Sequence, residues 1–114
     1  MLTVQDLKKL RSKDRDDHGK GTKLVITHNL NYPLKEGVEV EFCSFNYIGS
    51  ATGEHKLSHK SGFGRAGGAR CWDDFSARGR QWIGDHFDPE QSELIVIVGR
   101  DDVHGIKASR VRLA

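Results

Sequence analysis

Glu93-Leu94-Ile95-Val96-Ile97-Val98 (ELIVIV) sets four consecutive β-branched residues after Leu94. Branching at Cβ restricts the side chain in a helix and suits it to a pleated surface, so the run is read as a strand. Because apolar residues fill both alternating sets, the strand is expected to be covered on both faces. Downstream, Gly99–Asp102 (GRDD) is a turn signal. Gly105–Ala114 (GIKASRVRLA) then returns as a final strand, with Lys107, Val111 and Leu113 on one side and Ile106, Ala108, Arg110 and Arg112 on the other.

Upstream, Val38, Val40 and Phe42 alternate with Glu39 and Glu41, the period of a half-buried strand. After Phe42 the apolar set becomes Cys43, Phe45 and Tyr47, so either a β-bulge shifts the register or both faces are covered. Leu24-Val25-Ile26, within Thr22–His28, marks a further strand. Between the two, Asn29–Gly37 (NLNYPLKEG) is turn-rich, punctuated by Pro33 and Gly37. The stretch PLKEGVEVEF over 33–42 resembles the loop-to-strand entry of SH3-like barrels. The resemblance implies a curled sheet and carries no activity with it, since function resides in sites and not in folds.

Helices are expected at two places. Thr3 is a good N-cap, Asp6 stands where a capping-box acid belongs, and Leu2 and Leu7 form a hydrophobic staple. With Leu10 these define a helix near residues 4–12, followed by a polar loop, DRDDHGKG, over 14–21. Trp72–Phe87 returns to helical spacing, with Trp72, Phe75, Trp82, Ile83 and Phe87 on one broad face, Asp73 as cap and Asp88-Pro89 as stop. Between these regions, 49–70 (GSATGEHKLSHKSGFGRAGGAR) holds six glycines and few apolar side chains, the composition of a long functional loop.

The order is therefore helix, two strands, Gly-rich loop, helix, two strands. It lacks the βαβ alternation of a doubly wound sheet. The expected fold is a single α+β domain over 1–114, with an N-terminal helix and polar linker over 1–21. Its four to five antiparallel strands form a small, partly open SH3-like barrel or curled sheet, and the basic loop 49–70 and one helix are inserted between strands. Leu, Ile, Val and Phe supply 28 of 114 residues, above the roughly 20% below which a chain stays disordered. No apolar run approaches the ~18 residues of a membrane-spanning helix. The first residues become charged by Asp6, unlike a signal peptide. A cytoplasmic location follows as the expectation, with Cys43 and Cys71 reduced.

The net charge of +2 conceals alternating blocks: +3 over 1–30, −3 over 31–54, +4 over 55–80, −5 over 81–102 and +3 over 103–114. The +4 block lies in the Gly-rich region. Phosphates attract cations, glycine lets backbone N–H groups approach them, and exposed aromatics stack on unpaired bases. Lys56, Lys60, Phe63, Arg65, Arg70, Arg78 and Arg80 are accordingly the expected nucleic-acid-binding residues. His55, His59 and Trp72 lie among them. The expected function is a small, non-enzymatic nucleic-acid-binding protein, for DNA or RNA. One alternative is a protein-interaction module, an inhibitor or adaptor, that uses the basic segment or the acidic block 81–102 by charge complementarity. A second is a metal-dependent or thiol enzyme built on His55, His59, Cys71 and Asp73. Exposed sheet edges would allow a homodimer.

Other signatures are incomplete. Gly62–Gly67 spells GxGxxG, but no apolar strand precedes it as a dinucleotide site requires. Tyr47-Ile48-Gly49 resembles half of the GIY-YIG nuclease signature, yet Gly37-Val38-Glu39 lacks the tyrosine of the other half, and the nearest following arginine is Arg65. No HExxH, CxxC or GxSxG occurs. Neither a cofactor, a metal nor a catalytic residue is assigned.

Overall fold

The computed structural model describes residues 1–12, 21–49 and 69–114. Five strands form one sheet: β1 Lys23–Ile26, β2 Glu39–Tyr47, β3 Glu93–Val98, β4 Asp102–Lys107 and β5 Val111–Leu113. Their order is β4-β3-β2-β1-β5, and every neighbouring pair is antiparallel. The sheet is not closed. Among the described residues two α-helices accompany it, α1 Val4–Leu7 and α2 Ala77–His86, so the class is α+β.

The apolar run over 93–98 lies between β2 and β4, where neighbours satisfy its backbone on both sides. Leu94 and Val96 are fully buried on the core face, and Ile97 on the opposite face is buried too. Ile95, on the same outer face as Ile97, is half-buried, so that face is only partly covered, while Val98 packs at the margin of the core. In β2 the phase change after Phe42 is a break in register. Shifts occur between Phe42 and Ser44 and between Phe45 and Tyr47. These turn Val40, Phe42 and Phe45 all into the core, while Cys43 and Tyr47 stay half-buried.

Three expectations are corrected. The C-terminal strand is two strands, because a 3-10 turn over Ala108–Arg110 separates β4 from β5. The amides of Ala108 and Ser109 donate to the carbonyls of Ser92 (3.1 Å) and Pro89 (3.2 Å), which pulls the chain out of the strand. Four peptide steps from Lys107 to Val111 reach about 14 Å at most. A flat five-stranded sheet would need about 19 Å between its edges, so β4 and β5 must curl toward each other.

The N-terminal helix stops at Leu7 instead of continuing to residue 12. Its start is as expected: Thr3 and Asp6 exchange both capping-box bonds. Beyond it, the Arg11 amide donates to Thr22 Oγ1 (2.9 Å), the Thr22 amide to the Arg11 carbonyl (3.0 Å), and Arg11 bridges Cys71. Another turn of helix would forfeit these bonds.

The segment 72–87 is not one helix. A 3-10 turn over Trp72–Asp74 is followed by extended Phe75, and Ser76, not Asp73, caps α2 by accepting the Gly79 amide (3.0 Å). The break lets Phe75 enter the core. An aromatic series results: Phe42–Phe45 at 4.9 Å, Phe45–Phe75 at 5.1 Å and Phe75–Trp72 at 5.8 Å between ring centroids. Each fully buried Phe stabilises by roughly 2–3 kcal/mol, and the contacts seat the 69–75 segment on the sheet.

Candidate nucleic-acid interface

Of the expected binding residues, Lys56, Lys60, Phe63 and Arg65 lie outside the described residues, as do His55, His59 and the GxGxxG stretch. Arg70 and Arg78 are exposed and Arg80 is half-buried. Arg80 is committed to the fold, since its Nη1 donates to the Phe75 carbonyl at 2.6 Å and ties α2 to the preceding turn. Arg78 and Arg80 are two residues apart on one helix, about 200° around its axis, so they share no face. Nor do Arg110 and Arg112 form a pair on one strand. Arg110 belongs to the 3-10 turn, 3.7 Å from Glu90, and the Arg112 guanidinium donates to the Leu113 carbonyl.

Arg70 is joined to a set of cations from the N-terminal segment. The Ser12 amide donates to the Arg70 carbonyl at 2.9 Å, and Arg11 and Cys71 form an antiparallel bridge beside it. Arg11 is exposed, and so is Lys8, whose ammonium lies 5.9 Å from the centroid of the half-buried Trp72 ring. Lys8 thus lies over the Trp72 ring, and the backbone bridge brings the chain at Arg11 beside the chain at Arg70 and Cys71. Two carboxylates adjoin them: Asp73, exposed, and Asp74, half-buried with Oδ2 accepting the Arg70 amide at 2.9 Å.

The sequence reading missed Lys8 and Arg11, because the N-terminal helix reads as an arm docked through its leucines. Leu2, Leu7 and Leu10 are indeed buried. The signal for the cations was present in the +3 charge of residues 1–30. What the sequence does not contain is the bridge that brings that block to Arg70.

Both flanks of segment 50–68 are fastened. On one side, Ala69 is buried and its carbonyl accepts the Phe45 amide at 2.8 Å. On the other, Gly49 donates to Ser92 Oγ (3.1 Å) and its carbonyl accepts the Asp88 amide (3.0 Å). A Cβ at Gly49 would sit 3.0 Å from the Gln91 carbonyl oxygen, so a larger residue would require the 88–91 turn to shift by a few tenths of an ångström.

The remaining chemistry is dispersed. Cys71 is buried whereas Asp73 is exposed, and Cys43 and Cys71 form no disulfide. No cluster of metal-ligating side chains occurs among the described residues. In the acidic block, Asp88 Oδ1 accepts the Glu90 amide, Glu90 faces Arg110, and Glu93 accepts from Asn46 Nδ2 at 2.7 Å. Among the described residues, no helix is long and apolar enough to cross a membrane. No family model, curated protein or solved structure matches the chain.

Proposed function

We propose that this protein binds nucleic acid, DNA or RNA, without catalysing a reaction on it. The observation that carries the reading is the junction of Ser12 with Arg70. It sets the cations Lys8 and Arg11 beside the first described residues after the Gly-rich basic segment. Side-chain cations on separate segments, which backbone hydrogen bonds join, can follow a phosphate chain at several points, and each contact releases a counterion. Lys56, Lys60, Phe63, Arg65 and Arg78 would extend the contact beyond Arg70. The framework proposed to hold this surface is a partly open SH3-like barrel. The short link between the edge strands β4 and β5 and the entry stretch over 33–42 support it. The compartment proposed is the cytoplasm.

The test is filter binding of full-length protein to RNA and DNA homopolymers at low salt, against a variant with Lys56, Lys60, Arg65 and Arg70 changed to Ala. Retention by the wild type and loss in the variant support the reading. No retention, or equal retention, overturns it.

A second reading, a protein-interaction module, is favoured by Tyr32. This residue is 86% exposed at the tip of the β1–β2 loop, although that loop is held by backbone bonds such as Leu30 to Leu34 and Leu34 to Asn31. A fixed aromatic presented to solvent loses little entropy on docking. Recovery of one protein partner that survives nuclease treatment and is lost with Tyr32→Ala would support it.

A further inference from the structure

Trp72 differs from the other core-packing aromatics in how its faces are used. Its ring meets Phe75 edge-on at 5.8 Å and an interplanar angle of 71°, which fixes its orientation from below. Above the ring lies the Lys8 ammonium, carried on an exposed, flexible stem, where a core residue would have a packed apolar neighbour. Exposed Arg11 and Arg70 lie on the two backbone segments that meet at the bridge next to Trp72 in the chain.

We propose that Trp72 is a stacking platform for one unpaired base, so that the ligand is single-stranded nucleic acid; this rests on the nucleic-acid reading above. A cation 5.9 Å from the centroid of a half-buried ring, at the outer limit of a cation–π contact, is held weakly, and a base stacked on the same face is held more strongly, so the base displaces Lys8. The displaced ammonium stays within reach of the flanking phosphate, where it joins Arg11 and Arg70 in neutralising charge. A duplex offers no such base, because its faces are stacked on each other. A half-buried indole held at its edge cannot extend into a groove to reach the base edges.

The experiment uses full-length protein carrying Trp82→Phe, so that Trp72 is the reporting tryptophan. The probes are oligothymidylate of about 15 nucleotides, within the usual range of single-strand sites, and a duplex of equal length. The expected result is quenching of Trp72 emission by the single strand, with affinity at least tenfold above that for the duplex at the same ionic strength. Trp72→Leu, which retains apolar packing, should weaken single-strand binding by roughly 5- to 150-fold, the range for loss of one base–aromatic stack. Duplex binding should be unchanged. Trp72→Phe keeps a ring and should recover most of the affinity, so the inference remains testable should the Leu variant unfold. Single-strand binding with no quenching, or with Trp72→Leu and Trp72→Phe both equal to wild type, overturns the platform and leaves the nucleic-acid reading standing. Absence of binding to either probe overturns both.

Discussion

Two buried serines should respond to the same substitution with opposite sign. Ser92 is fully buried, and its Oγ accepts the Gly49 amide at 3.1 Å and donates to the Asp88 carbonyl at 2.7 Å. Ser92→Ala leaves the Gly49 N–H buried without its acceptor, a loss of about 1–3 kcal/mol. The Asp88 carbonyl keeps the Gln91 amide at 3.1 Å, so that side loses only the net value of a hydrogen bond, about 1 kcal/mol. The total is about 2–4 kcal/mol, which lowers Tm by roughly 8–15 °C in a domain of this size. Ser109 is 2% exposed and its Oγ has no hydrogen-bond partner among the described residues. Ser109→Ala removes a desolvated hydroxyl and should stabilise by about 1 kcal/mol. Urea denaturation of both variants, read as midpoint shifts at constant m, decides the matter. A cost for Ser109→Ala equal to that of Ser92→Ala, or an unmoved midpoint for Ser92→Ala, would show that these hydroxyls do not differ in this way.

Three further substitutions test the account of the fold. Thr3→Ala breaks the capping box at α1 and should cost about 1 kcal/mol in urea denaturation. Phe45→Ala opens the aromatic series between Phe42 and Phe75 at a fully buried position; a loss of about 3–5 kcal/mol by the same assay is expected. Gly37 has φ of +88° and donates to the Ile26 carbonyl at 2.8 Å. Gly37→Ala has open space for its Cβ yet should cost about 1–2 kcal/mol in conformational strain, measurable as a lower Tm.

The sheet was legible wherever side-chain periodicity alone decides the structure. The alternation over 38–42 and the β-branched run over 93–98 mark β2 and β3, and the phase change after Phe42 marks the bulge. The errors fall where a distant hydrogen-bonding partner overrides local pattern. Residues 105–114 alternate acceptably as one strand, and only Ser92 and Pro89, remote in sequence, explain the turn at Ala108. Leu7 and Leu10 fit a longer helix, but Arg11 is taken by Thr22 and Cys71. The 72–87 spacing fits one helix, while Phe75 needs extended backbone to reach Phe45. At the candidate interface, charge counting found the +4 block and the +3 block separately. Their contact depends on the tertiary bridge between Arg11 and Cys71, which no local pattern encodes.

Nucleic-acid binding through the joined cations is read from the salt dependence of affinity for a fluorescein-labelled single strand, measured by anisotropy. Wild type is compared with the variant carrying Lys8→Ala, Arg11→Ala and Arg70→Ala. Each phosphate contact to a single strand contributes about 0.7 to the slope of log affinity against log salt. Steep weakening with salt is expected in the wild type, with a slope shallower by about 2 in the triple variant, one increment for each cation. An affinity that does not change with salt, or equal slopes in the two proteins, would contradict binding through these cations.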